Sequence, residues 1–231
     1  MDDWSSPTEY DSQDFNFWPS FSDLMLAIVL ILLIMLFAYT LYLQIGSINL
    51  KQVQDNQTEL VNDIAGYYKV GPKKISDNIY SISGEIMISN ELTLQRITFA
   101  DNILFSKDDY KLSKQGESTL KTIGGLVKSR LGSIREIQIQ GHADTDKSGR
   151  FASNLELASR RAIEVFKFLQ EQASINPAEH LMSATTFGEY KPVSRSEVDL
   201  KYDETTLKEA NIDEMKKKKN RRIELLLFYI R

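Results

Sequence analysis

Asp23 stands at the mouth of a long apolar run, with the Ser22 hydroxyl beside it. Residues 24–43 read LMLAIVLILLIMLFAYTLYL and hold no charge. A carboxylate at the edge of such a segment is costly to bury when ionised, so it is suited to taking up and releasing a cation. An Asp at the centre of a membrane helix costs about 2.5–3.5 kcal/mol, and less near an interface. Neutralising it removes that cost, and each transfer then changes how its helix packs against a partner. Taken alone, an Asp one residue outside the run reads equally well as a helix cap or as the end of the hydrophobic segment. Ser22 either helps hold the ion or is a small residue that lets helices approach. Two further residues stand out in the second half of the chain, Asp144 in GHAD (141–144) and Arg161 in NLELASRRA (154–162). Singly, Asp144 reads as a turn-forming Asp after a strand, and Arg161 as a surface ion-pair residue of small energetic weight.

The element that must carry Asp23 is a helix. At 1.5 Å per residue, residues 24–43 span roughly 30 Å, the depth of a bilayer core. Trp18 on one side and Tyr39 and Tyr42 on the other suit the two interfaces. A cleaved signal peptide fits poorly: no Lys or Arg precedes Leu24, the run is too long, and no small-residue cleavage site follows. The expectation is an uncleaved single span over 18–43. Residues 1–17 form an acidic tail with Asp2, Asp3, Glu9, Asp11 and Asp14 and no base, whereas Lys51, Lys69, Lys73 and Lys74 follow the span. The positive-inside rule by itself would leave the C-terminal part in the cytoplasm.

The chain has 231 residues, enough for one span and one domain, and a net charge of −4 that argues against a general binder of nucleic acid or anionic lipid. It has no Cys and two His, which excludes disulfides and leaves little for a zinc site. Residues 44–77 are mostly polar, with sparse apolar points at Ile45, Ile48, Val53, Leu60, Val61 and Ile64, enough for a helical or paired linker, and Gly71-Pro72 ends the stretch. Residues 78–231 read as one α/β domain. Strands are expected in 78–83, 85–98, 134–140, 182–187 and 223–230. One helix should follow Ser113, with Leu120, Ile123, Val127 and Leu131 on its apolar face. Ser153-x-x-Glu156 is a capping box opening another, with a core stripe of Leu155, Ala158, Ala162, Val165 and Leu169. At about 100° per residue Arg161 falls beside that stripe and Arg160 nearly opposite, while Asn154 and Leu157 share the Arg161 flank. The basic run 216–222 has acidic neighbours at Glu204, Glu209, Asp213 and Glu214 and reads as a solvated face.

GHAD, NLELASRRA and NRRIE (220–224), with ILF (103–105) upstream and FGEYKP (187–192) after the second helix, stand in an order that resembles the OmpA-like peptidoglycan-binding domain over residues 95–231. The resemblance implies a β/α sandwich with helices on one sheet face. It also implies a ligand, the peptidoglycan stem peptide, whose amino acid presents both an ammonium and a carboxylate. By that resemblance Asp144 binds the ammonium and Arg161 the carboxylate, where a bidentate fork is favoured. Asn154 and Leu157 match family positions. Phe151, expected with Asn154 and Leu157 among the peptidoglycan-binding residues, stands where an aromatic with a hydroxyl is common. The loop after Asp144 and the stretch 194–219 are longer than in compact members. His142 reads as a site-edge or packing residue.

Trp18-Pro19 followed by Phe21-Ser22-Asp23-Leu24-Met25 is similar to the start of the MotB transmembrane helix, and joined to an OmpA-like domain it is the organisation of the MotB family of stator proteins. Within that family the acidic tail and the Ser-Asp pair look closest to ZorB, the MotB-like subunit of the Zorya antiphage system, with flagellar MotB or PomB as the alternative. The resemblance implies a homodimer inside a ring of multi-span ZorA- or MotA-like subunits. It places Asp23 as carrier of an ion, H⁺ with Na⁺ open, and the second domain on the peptidoglycan of the periplasm. That orientation overrides the Lys balance, since large domains translocate largely regardless of charge. A passive, membrane-tethered wall anchor also remains open. No nucleophile elbow, supported carboxylate pair or metal cluster is evident, so neither an enzyme nor a cofactor is expected.

Overall fold

The computed structural model describes residues 17–196, 199 and 201–230. The acidic tail lies outside the described residues but for Phe17, and the side chains of Ile45 and Ile48 also lie outside them. The chain divides into two compact units, Met1–Ser47 and Ile48–Arg231. Helix α1 (Trp18–Tyr67) begins in the first. Its run of Leu, Ile, Met and Ala meets no proline after Pro19, which is why the helix proceeds without a break. It is long and apolar enough to cross a membrane. Its side chains through residue 44 are exposed, Leu26 at 70% and Tyr42 at 75% among them, an extended apolar surface of the kind that marks a contact site.

Over 44–77, where a helical or paired linker is expected, the chain is helical for most of its length. Helix α1 runs on to Tyr67, and Val53, Leu60, Val61, Ile64 and Ala65 are buried in the core of the second unit. Apolar points that look sparse along the sequence form a narrow stripe on one helical face. Gln57 adds a polar tie, its side-chain amide donating to the Glu91 carbonyl at 2.9 Å and its backbone carbonyl accepting from the Gln95 side chain at 2.8 Å. The helix stops before Gly71-Pro72. Lys69 takes a left-handed φ of 53°, the Val70 N–H bonds the Ala65 carbonyl and the Lys69 N–H bonds the Gly66 carbonyl, each at 3.1 Å, closing a Schellman cap.

The second unit is an α/β sandwich on a seven-stranded sheet, order β1-β2-β3-β4-β7-β5-β6. Strands β1 (Lys73–Ser76), β2 (Ile79–Ile82), β3 (Ile86–Asn90) and β4 (Leu94–Ala100) form an antiparallel meander. The β2–β3 turn uses Ser83 and Gly84 at positive φ, the backbone a tight hairpin demands. Helix α2 (Asp101–Leu104) follows, then α3 (Lys114–Lys128), capped by Ser113 as expected. Strand β5 (Ile134–His142), helix α4 (Asn154–Glu171) and strand β6 (Leu181–Gly188) make a crossover, and β5 and β6 are the parallel pair. Helices α5 (Glu204–Glu209) and α6 (Glu214–Asn220) precede β7 (Arg222–Tyr229), which inserts antiparallel between β4 and β5.

Strand alternation gives the sheet two unlike faces. Ile86, Ile88, Ile97, Phe99, Ile137, Ile139, Ile223, Leu225 and Leu227 lie in register on one face and share a core with α1, α2, α3 and α4. The opposite face carries Met87, Ser89, Arg96, Thr98, Arg222 and Glu224. One core assignment differs. Leu155 is 45% exposed and Leu157 is buried in its stead. The backbone of Leu155 packs against Gly188, where an added Cβ would come within 3.2 Å of the Leu155 Cα, so this first turn faces the strand end and its side chain clears the core.

Candidate functional site

The ends of β4, β5, α4 and α6 converge on a cavity of about 490 Å³ in the second unit. Asp144, Asn154, Leu157 and Arg161 all line it, together with Asp101, Asp108, Glu214 and Arg221. Strand β5 delivers Asp144 because α4 crosses it closely at Gly141, where a Cβ would lie 2.2 Å from the Ala158 carbonyl oxygen. The turn after β5 is then fixed by hydrogen bonds. The Ala143 N–H donates to Gly188 at 2.8 Å, and Asp144 Oδ1 accepts from the Asp146 N–H at 3.1 Å. Asn154 holds that turn with both ends of its amide: Nδ2 donates to the Asp144 carbonyl at 3.0 Å, and Oδ1 accepts from the Ser148 N–H at 3.3 Å. Its role here is to position the turn. The long loop is clamped from the other side by Asp108, which accepts from Ser148 Oγ at 2.5 Å and from the Gly149 N–H at 3.1 Å.

The capping box forms in part. Ser153 accepts from the Glu156 N–H at 3.1 Å, while the Glu156 carboxylate reaches the Ala152 N–H instead of that of Ser153. Two turns on, Arg161 is buried and Arg160 is half-exposed, as the wheel requires. Arg161 Nε donates to the Asp109 carbonyl at 2.9 Å and Nη1 to Asp101 at 3.3 Å, with the guanidinium 5.1 Å from the Phe105 ring centroid. Asp144 is paired too: Arg221 Nη1 lies 2.5 Å from its Oδ2, Arg221 Nη2 lies 2.5 Å from Glu214, and Arg221 Nε is 3.9 Å from Asp101. Asp101 therefore sits between two guanidiniums, and Arg221 between three carboxylates.

These contacts set the titration of the site. Burial raises Asp101 above the ordinary carboxylate value, opposed by Arg161 and Arg221. Burial lowers Arg161, opposed chiefly by Asp101. Burial would lower Arg221 as well, but its bonds to Glu214 and Asp144 outweigh that and raise it. A zwitterionic ligand suits such a network. Its ammonium can replace Arg221 on Asp144 and its carboxylate can replace Asp101 on Arg161, so ion pairs are exchanged and no charge is stranded.

Other expected residues lie elsewhere. Phe151 does not line the cavity. It meets Tyr110 edge-on at 6.0 Å between centroids and sits 5.8 Å from the Arg160 guanidinium. His142 is a packing residue, buried and stacked on Phe187 at 5.5 Å. Ser22 and Asp23 belong to the first unit and lie inside α1, which starts at Trp18 and has no acidic residue in its first turn, so Asp23 is no N-cap. Within the basic run, Lys217 bonds Asp146 at 2.6 Å and Lys216 bonds the Glu209 carbonyl at 3.0 Å. Among the described residues no group of three or more His, Asp or Glu is placed to hold a metal ion. Arg221 and Asp101 went unassigned in the sequence. The signal for Arg221 was the NRRIE motif itself, and for Asp101 its place just ahead of ILF.

Residues 104–205 match the OmpA family. Among solved structures, a MotB-like protein from Desulfovibrio vulgaris superposes with a TM-score of 0.58 at 21% identity, covering 78% of this chain and 98% of that one. The periplasmic domain of Helicobacter pylori MotB superposes with a TM-score of 0.53 at 18% identity, covering 67% and 90%. At these identities the likeness is one of fold. No curated protein sequence matches the chain.

Proposed function

We propose that this chain, which carries an OmpA-family domain and one helix capable of crossing a membrane, is a peptidoglycan-anchored subunit of an ion-driven stator in the bacterial inner membrane. The observation that carries the wall-binding half is the meeting of Asp144 and Arg161 at one cavity, each paired to a side chain that a zwitterion can displace. The stem peptide of peptidoglycan supplies such a group. The likeness of fold to MotB periplasmic domains supports a periplasmic location for this unit. Asp23, inside a helix whose apolar side chains are exposed through residue 44, is the ion carrier, with H⁺ as the ion and Ser22 beside it. A second copy and a ring of MotA- or ZorA-like subunits are the partners. The residues around Asp23 and the acidic tail favour the ZorB subunit of a Zorya-type antiphage system over a flagellar stator. The role is binding and coupling, not catalysis.

Cosedimentation with purified peptidoglycan tests the wall site. Asp144→Ala and Arg161→Ala should each weaken binding about tenfold or more, the loss expected of one charge-assisted contact. Undiminished binding by the folded double variant removes the assignment. Asp23→Asn tests the carrier: phage protection or motility should be abolished with the complex still assembled, whereas full output would leave only a passive anchor.

A further inference from the structure

The sheet face opposite the core is roofed by residues 191–196 and α6, enclosing a second cavity of about 720 Å³. A volume in the range of roughly 300–1,000 Å³ is that of small-molecule sites. Its apolar surface comes from Ile79, Met87, Val193 and Met215, of which Met87 is 43%, Val193 56% and Met215 71% exposed. Its charge is lopsided. Among the described residues that line it, basic side chains outnumber the acidic ones, Glu85, Glu91 and Glu224, by two to one. Glu224 is already consumed, accepting from Arg222 Nε at 2.6 Å and from Arg96 Nη1 at 2.9 Å. At the rim, Lys218 and Lys219 have no carboxylate within ion-pair distance among the described residues. His142 lies on this same sheet face, paired across the strands with Arg222 and 3.8 Å from Glu224. Burial pushes that imidazole down to about 3, and Arg222, Lys191 and Arg96 add to the shift against Glu224 alone.

We propose that this second-face cavity holds an anionic lipid, with its phosphate against Lys218 and Lys219 and part of an acyl chain against Met87, Met215 and Val193. Methionine suits an acyl chain because its flexible, polarisable side chain adapts to an irregular apolar partner. A soluble anion would leave the methionines uncovered, and a neutral lipid would leave the lysines unmatched. Supply follows from the chain itself. The apolar run ends at Leu43 and the compact unit opens at Ile48, so the sequence tethers this unit to the membrane. The inference rests on the membrane reading of residues 24–43 and is independent of the wall site, because Asp144 and Arg161 line the other cavity.

The full chain in nanodiscs, with phosphatidylglycerol or phosphatidylcholine bearing a photoactivatable acyl chain, gives a direct test by mass-spectrometric mapping of the labelled peptides. Peptides containing Met87 and Met215 should be labelled at least about fivefold more by phosphatidylglycerol, the preference expected of two lysines at an anionic headgroup. Lys218→Glu with Lys219→Glu should abolish that preference and leave labelling of residues 24–43 unchanged. Met87→Trp, which fills the floor without changing charge, should lower labelling at Met215. Unchanged peptidoglycan cosedimentation by these variants shows that the fold and the wall site are intact. Labelling confined to residues 24–43, or equal from both lipids, overturns the proposal. Displacement by a soluble acidic peptide at equal concentration also overturns it, assigning the cavity to a peptide.

Discussion

Arg221 and Arg222 are neighbours in sequence and serve opposite faces of one sheet. Arg221 reaches the cavity of Asp144, Asp101 and Glu214 and keeps 26% of its side chain exposed. Arg222 enters the second-face cluster with Glu224, where the two side chains are 6% and 4% exposed. Both clusters mix guanidiniums and carboxylates. They differ in water. In the open one a ligand's charges can replace the protein's own at small net cost. In the closed one, removing either member of the Arg222–Glu224 pair leaves a nearly buried charge without its partner. Charge clusters of like composition therefore act as a receptor or as a fastener according to their exposure.

The largest effect should follow from breaking the fastener. Glu224→Ala leaves Arg222 and Arg96 facing each other and should cost about 3–5 kcal/mol in urea unfolding, the range for a broken buried ion pair. Wall binding per folded molecule should stay near wild type. A loss below about 1 kcal/mol would put this cluster in the class of surface ion pairs and erase the contrast. Gly141→Ala should be comparably severe, because the new Cβ would meet the Ala158 carbonyl at 2.2 Å and push α4 off the sheet. It should also weaken wall binding, since α4 carries Arg161.

Acid should remove the stability that the fastener provides. Burial would raise Glu224, yet Arg222, His142 and Arg96 together hold it below the ordinary value of 4.5. Its contribution is therefore full above 4.5 and is lost as pH falls through the lower folded value. His142 works in the same direction. With its folded value pushed down to about 3 from 6.5, only the unfolded chain takes up the proton between those limits, and stability falls across that window. The unfolding midpoint should decline steadily below pH 6.5, and His142→Phe should flatten the upper part of that decline. A midpoint constant between pH 6.5 and 4.5 in the unmodified protein would contradict the burial of His142.

The adjacent arginines sharpen the contrast. Arg222→Ala should destabilise by about 3 kcal/mol or more, and Arg221→Ala, whose guanidinium keeps 26% exposure, by less. For wall binding the signs should also differ. Arg221 occupies Asp144, so its removal should free the carboxylate and tighten binding several-fold. Weaker binding by Arg221→Ala would instead make Arg221 a ligand contact.

Much of this was readable from spacing. Ser113 and Ser153 announced the two helices by their caps, and the 100° step told Arg161 from Arg160. What escaped was whatever depends on residues far apart in the chain. The Arg161–Asp101 and Arg221–Asp144 pairs join residues 60 and 77 positions apart, and no local period records them. That the second half of α1 packs into the domain core escaped because its stripe is narrow and its other faces are polar. Leu155 misled because a periodic stripe does not say where along the helix the sheet begins to cover it.

The smallest expected effect tests the helix wheel itself. Arg160 is 48% exposed, bonds Glu156 at 2.9 Å one turn back, and lies 5.6 Å and 5.8 Å from the Tyr110 and Phe151 rings. An exposed i,i+4 pair is worth about 0.3–0.5 kcal/mol, and an exposed cation–π contact adds about 0.5–1 kcal/mol. Arg160→Ala should therefore shift stability by about 1 kcal/mol and leave peptidoglycan cosedimentation unchanged. Arg161, one residue along, should lose most of its binding under the same substitution. If Arg160→Ala also cut wall binding, the ligand would have to extend over Tyr110 and Phe151. The receptor would then include the aromatic surface that lies outside the cavity, and Phe151 would regain the binding role the resemblance gave it.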